Sequence, residues 1–158
     1  MKCADLARTI LRRERAAVAD AEDAFTAGML HDVGKLMLAD SLPVEFGEAL
    51  ELAARENIPL AEAEQAVFGA DHAGLAAYLF GLWGLPASIV EAVAFHHAPR
   101  RSDLKQCSAL TAVHVANAFL HEAGGGPLNR DYLVEIGVAD RLNDWQETAV
   151  ELQLEAAA

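Results

Sequence analysis

The residues best able to do chemistry fall in three clusters: His31-Asp32-Val33-Gly34-Lys35, Asp71-His72 and His96-His97. Neutral imidazole is a borderline nitrogen donor and carboxylate a hard oxygen donor, so a mixed set suits iron, manganese, zinc or nickel better than calcium, and no thiolate takes part. The expected ligand set is His31, Asp32, His72, His96 and His97, holding one or two ions. Neighbouring side chains on a helix diverge by about 100°, so His31 and Asp32 can serve one centre only if the helix ends or turns there. Gly34 is expected to supply that ending and to let Lys35 swing toward the same space. Asp32 could bridge two ions with its two oxygens, and Lys35 could meet a substrate phosphate. A lone histidine on an apolar stripe is more often a hydrogen-bonded core residue than a ligand. It is the grouping that favours a metal over an inert buried polar network.

Such clusters need elements that present them at their ends. Helical periodicity runs through nearly the whole chain, while β-branched alternation and Asn-Gly or Asp-Gly turns between apolar runs are absent. Leu6, Ile10 and Ala17 predict an opening helix, and Phe25 to Leu30 an apolar block leading into the first cluster. Pro43 starts a helix with Phe46, Leu50 and Ala53 on one face. Leu60, Ala63 and Val67 mark a short one stopped by Gly69. Asp71 can cap the next, whose apolar face is expected at Leu75, Leu79 and Leu82. After Gly84 and Pro86, Ile89, Val93 and His96 share one stripe, with Val90, Ala94 and His97 beside it. Leu104 to His121 reads as the longest helix, followed by the breaker Gly124-Gly125-Gly126-Pro127. A short helix near Tyr132 and a stronger one through Leu142, Trp145, Ala149 and Leu152 complete an all-α chain. His114 and Asn117 lie on one face of the long helix, His114 read as structural, and His121 in its last turn suits the helix dipole.

The 158 residues are one domain's worth, and 53% hydrophobic with 23% charged residues excludes wholesale disorder. Two cysteines, Cys3 and Cys107, form no framework, so a reducing cytoplasm is the expected compartment. A formal charge of −12 and a pI near 4.8 would repel a phosphate backbone, so nucleic acid is not an expected ligand. The longest uncharged stretch, from Ala73 to Val90, is broken by Gly74, Gly81, Gly84 and Pro86, and reads as two helices rather than a membrane span. Met1 is followed at once by a helical pattern with no N-cap, as if the chain began inside an element.

The block His31-Asp32-Val33-Gly34-Lys35-Leu36, preceded by Ala24-Phe25-Thr26-Ala27-Gly28-Met29-Leu30, resembles the hallmark of the HD superfamily. The succession Glu64, Gly69, Asp71-His72-Ala73, Gly74, Leu79, Trp83, Leu85-Pro86 and His96-His97-Ala98-Pro99 resembles the HDOD domain, the HD-related output domain of bacterial signalling proteins. The likeness runs over about residues 3–122, with 128–154 resembling its usual helical tail. It implies an HD-type helical bundle in a protein that relays signals, beside receiver, diguanylate cyclase or phosphodiesterase modules.

Departures from that pattern shape the expected chemistry. Active HD hydrolases carry a further ligand histidine on the helix before the dyad, which the resemblance does not find here. They also carry an aspartate where this chain has Asn117, a much poorer ligand. His72, His96 and His97 correspond to the added ligands of multinuclear HD-GYP enzymes, yet Ala98-Pro99-Arg100-Arg101-Ser102-Asp103 follows in place of a GYP motif. The expectation is a regulatory domain with a degenerate metal site, acting through protein or ligand binding without turnover. The alternative is a metal-dependent phosphohydrolase of nucleotides or cyclic dinucleotides. HDOD modules usually carry another helical half before this one, so the chain is expected to be truncated at its start, to expose apolar surface around Leu6, Ile10 and Ala17, and to self-associate there.

Overall fold

The computed structural model describes residues 2–120 and 126–155, and within them every regular element is helical. Helices α1 (Lys2–Arg13), α2 (Val18–Leu30), α3 (Val33–Ser41), α4 (Pro43–Glu56), α5 (Leu60–Phe68) and α6 (His72–Leu82) make the first part of the bundle. Helices α7 (Ala87–Phe95), α8 (Ala109–Leu120), α9 (Arg130–Glu135) and α10 (Leu142–Glu155) complete it, with single 3-10 turns at Pro99–Arg101 and Ala139–Arg141.

Helix α1 lies at the centre, packed on α2, α8 and α10. Cys3, Leu6, Ala7, Ile10 and Leu11 are buried in one core with Ala24 and Ala27 of α2, Val93 of α7, and Leu110 and Val113 of α8. The expected apolar exposure around Leu6 and Ile10 is therefore wrong: they are 1% and 0% exposed. Their stripe is covered from several sides by later helices. Ala17 is exposed but belongs to a different element, as the residue just before α2. Between the two helices Arg15 takes a left-handed φ of 59° that reverses the chain. The tail joins the same core through Tyr132, Leu133, Leu142, Trp145 and Ala149. Glu14 fastens it, accepting from Trp145 Nε1 at 3.0 Å and from Arg141 at 2.9 Å.

Two predicted faces are rotated. On α6 the buried residues are His72, Ala73, Ala76, Ala77 and Phe80, and Leu82 is exposed, so the inward stripe is offset from the leucines and built largely of alanine. On α4 Ala49 is buried while Leu50 is exposed. The predicted helix from Leu104 begins only at Ala109, since the preceding segment turns on Ser102, whose hydroxyl donates to Glu91 and accepts from Leu104 N–H. Among the described residues α8 covers 12, from Ala109 to Leu120. His121, Gly124 and Gly125 lie outside the described residues.

Gly34 does not end a helix. It is the second residue of α3, and a Cβ there would stand 2.0 Å from the His72 carbonyl oxygen. The missing side chain lets α3 touch the backbone of α6, which brings the first two clusters together. A methyl at Gly34 must push two backbones apart, so Gly34→Ala is expected to cost about 3 kcal/mol or more in thermal unfolding. Gly47, in α4 with nothing within 4 Å of an added Cβ, is the opposite case. Gly47→Ala is expected to stabilise the chain by about 0.5–1 kcal/mol through helix propensity alone.

Candidate metal centre

Each member of the cluster sits at a helix end, where neighbouring residues can point to one side. His31 closes α2 and Asp32 precedes α3. His72 is the first residue of α6, entered through a left-handed Gly69 and capped by Asp71, whose carboxylate accepts from Gly74 N–H at 2.7 Å. His96 closes α7 and His97 follows it. The structure brings all five together. Donor atoms of Asp32, His72, His96 and His97 lie within 4.8 Å of one another. His31 joins at the edge, its Nε2 3.5 Å from Asp32 Oδ2 and its ring 5.1 Å from that of His96.

Hydrogen bonds fix the tautomers. A carbonyl oxygen can only accept, so His31 Nδ1 donates to Gly28 O at 2.9 Å and His96 Nδ1 donates to Val93 O at 2.8 Å. His72 Nδ1 donates to Glu64 Oε2 at 2.5 Å. In the neutral ring this leaves the lone pair on Nε2 in each case. From His72 Nε2 and His96 Nε2 the distances to Asp32 Oδ1 are 3.4 and 3.9 Å. His97 Nε2 stands 3.0 Å from His72 Nε2. Several Lewis bases thus face one small space. His96 is fully buried and its Nε2 has no hydrogen-bond partner. A divalent transition ion, with bonds to nitrogen and oxygen near 2 Å, fits this donor set and would occupy that nitrogen.

The electrostatics agree with the geometry. Burial pushes His96 well below the usual histidine range, helped by the neighbouring His97 and His31. Burial, with His72 beside it, pushes His97 down to about 3. Both are neutral at pH 7, with lone pairs available. Burial also acts to lower His72, but hydrogen bonds to Asp32 and Glu64 outweigh it and raise its pKa. For Asp32 burial alone would raise the pKa. Hydrogen bonding from His72, the charge of His31 and the Lys35 ammonium outweigh it and hold the carboxyl well below the carboxylate range. Lys35 Nζ lies 2.8 Å from Asp32 Oδ1, so the lysine expected on a phosphate is paired with the carboxylate here.

Around this sits a supporting layer. His114, buried on α8 and lowered by burial, donates from Nδ1 to His96 O at 2.7 Å and accepts from Asn129 N–H at 2.9 Å. It holds the end of α7 in place rather than facing the cluster with a free nitrogen. Asn117, one turn further along α8, is 2% exposed. Glu64 is the member whose role the sequence did not disclose. It is 0% exposed, and one oxygen takes both the backbone N–H of His72 at 2.8 Å and its Nδ1–H. The signal was present: Glu64 stands four residues after Leu60, on the very face that reads as apolar.

Glu64→Gln would replace a charged acceptor on His72 and is expected to lower affinity for zinc about 10–100-fold, read by chelator competition. In the metal-free chain His96, His97 and His114 all have depressed pKa values, so below about pH 6.5 the unfolded state binds more protons than the folded one. Their contribution is full above that value and is lost as pH falls toward the folded values. Asp32 adds a loss of the same sign below about pH 4, while His72, whose pKa is raised, acts only above about pH 6.5, where its stabilisation is lost as pH rises. Thermal unfolding of the chelated protein is expected to show falling stability from pH 7 to pH 4.

Comparison with known proteins agrees with this architecture. Two solved structures superpose over almost all of the chain. One is the "Putative phosphohydrolase" from Shewanella amazonensis SB2B, with a TM-score of 0.73, 19% identity and coverage of 96% of this chain. The other is an HDOD domain protein with unknown function from Geobacter sulfurreducens, with a TM-score of 0.74, 24% identity and 98% coverage. This chain spans 56% of each of those chains. An uncharacterized protein of Treponema pallidum (strain Nichols) is 28% identical over 75 residues, which are 48% of this chain and 15% of that protein. The family model of the HDOD domain matches residues 1–99, which hold α1 to α7 and all five clustered side chains, and the chain therefore belongs to the HDOD domain family.

Proposed function

We propose that this chain is a regulatory signal-output domain that holds a divalent transition metal, iron, manganese, zinc or nickel, and works by binding rather than turnover. The observation that carries the reading is the tautomer pattern: His31, His72 and His96 each have Nδ1–H fixed on an acceptor, so their Nε2 atoms turn toward Asp32. A bound ion would supply positive charge and Lewis acidity. This chain's residues would hold it through Nε2 of His31, His72, His96 and His97 and the carboxylate of Asp32. With a single carboxylate against four neutral rings, the centre would stay strongly cationic but poor in groups able to take a proton. Asn117 cannot act as a base. Such a site suits a sensor of metal or ligand that passes its state to neighbouring receiver, cyclase or phosphodiesterase modules in the cytoplasm, as one copy or as a homo-oligomer.

One observation favours the alternative, a metal-dependent phosphohydrolase. Lys35 stands against Asp32 with its side chain about a quarter exposed, so an incoming phosphate could draw the ammonium to itself. The assignment carried by the Shewanella structure points the same way.

Elemental analysis of protein purified without chelator or added metal is expected to find a transition ion, and His96→Ala to lose it. Hydrolysis of bis(p-nitrophenyl) phosphate and of cyclic dinucleotides is expected at background. Turnover that disappears in both His31→Ala and Asp32→Ala would overturn the regulatory reading in favour of the hydrolase. Asn117→Asp is expected to tighten metal binding by about tenfold through its added charge, and no gain would mean that residue 117 does not reach the ion.

A further inference from the structure

Helices α4 and α5 are held differently from the rest of the bundle. They pack mainly on each other, with α3 against α4 and α6 against α5. Among the described residues, none of theirs belongs to the main hydrophobic core or to the partly buried apolar side chains packed on it. Only Ala49, Ala63 and Glu64 are buried on them, while Val44 and Leu50 are exposed. An alanine methyl removes little apolar surface from water, so docking this pair gains far less than docking α1 through Leu6, Ile10 and Leu11. The chain enters the pair at Leu42 and Pro43 and leaves it through Gly69, at a φ of 75°, and the exposed Ala70.

Beyond the turns that flank the pair, side-chain hydrogen bonds and ion pairs among the described residues join it to the rest of the chain at one place, Glu64 on His72. Glu64 is wholly buried. Its Oε2 takes both the backbone N–H and the Nδ1–H of His72, while its Oε1 has no hydrogen-bond partner. A carboxylate half satisfied in the interior has lost hydration that it would recover on opening. We propose that α4 and α5 open as a unit about Leu42 and Gly69, that Glu64 on His72 is the latch, and that an ion in the cluster holds it shut. A small apolar gain set against a costly buried charge keeps the closed and open arrangements close in free energy, as in segments that open without global unfolding.

The part played by the ion rests on the metal reading above. With a cation on its Nε2, His72 becomes a stronger donor through Nδ1–H, and Glu64 in turn makes Nε2 a stronger ligand. Closure and ion binding then favour each other by the same factor. The state of the buried cluster is thereby carried to two surface helices.

The test is amide hydrogen exchange of the purified chain, followed by mass spectrometry, in chelator-stripped and zinc-saturated protein. In the stripped chain the amides of α4 and α5 are expected to exchange together, about tenfold or more faster than those of α1 and α8. Zinc should slow them about fivefold or more while leaving α1 and α8 unchanged. Glu64→Ala should speed the exchange of α4 and α5 in the stripped chain by about tenfold or more, with α1 and α8 again unaffected. Glu64→Gln, which keeps a neutral acceptor and the volume of the side chain, should speed it by a smaller factor, and it decides the matter if the alanine variant loses protection throughout. Exchange in α4 and α5 as slow as in α1 and α8 would overturn the proposal, and protection indifferent to both variants would overturn the latch. Zinc that binds, by elemental analysis, without slowing the pair would overturn the coupling. A chain that takes up no zinc would sink the metal reading by itself, while the stripped protein and its variants would still decide the latch.

Discussion

The arrangement turns on an electrostatic frustration among lone pairs. Imidazole nitrogens and a carboxylate crowd a space only a few ångströms across, and bases cannot satisfy one another. Each contact needs a proton or a cation between its partners, and burial makes the missing positive charge more costly than it would be in water. Without a metal, the ammonium of Lys35 supplies part of that charge. The surrounding hydrogen bonds to Gly28, Glu64 and Val93 fix the far sides of the rings, so the frustration cannot relax by flipping them. The fold holds a demand for positive charge at one point, and the most direct way to meet it is an ion.

Helix ends make the crowding possible. Inside a helix adjacent side chains diverge, and only at a terminus can consecutive residues such as His31-Asp32 or His96-His97 turn toward a common space. The local devices are modest: the Asp71 cap, the left-handed Gly69 and the contact of Gly34 with the backbone of His72. Each lies within a few residues of a cluster member. Sequence segments separated by more than 60 residues, from His31 to His97, meet because α2, α3, α6 and α7 share one core.

How much of this was legible in the chain follows from the range of each interaction. Helix boundaries set by local chemistry, such as Pro43, Gly69, Asp71 and Gly84, fell where the residues place them. The three clusters were legible because histidine beside aspartate or histidine is a compact pattern. Features decided by a distant partner were not. Gly34 reads as a helix terminator and proves to be a point of backbone contact, since nothing nearby in sequence reveals the carbonyl of His72. The buried faces of α4 and α6 were misplaced because periodicity marks large apolar residues, whereas most of the residues buried there are alanine. Leu6 and Ile10 read as facing a missing neighbour, and their cover arrives from helices as late as α10. Glu64 entered only as part of a family-like succession, with no role attached, and the acceptor it provides to His72 gives it a reason to be inside.

The strap formed by Glu14, Arg141 and Trp145 makes the unit of folding longer than the stretch that the family model matches. The match of the family model ends at residue 99, yet the indole of Trp145 is wholly enclosed and tied to the end of the first helix. Tyr132 likewise reaches back to Thr111 on the helix that carries His114. The segment beyond the family match thus closes the hydrophobic interior of the segment within it. A change in this closing piece would alter how firmly the inner helices hold the histidines without altering a residue that touches the centre.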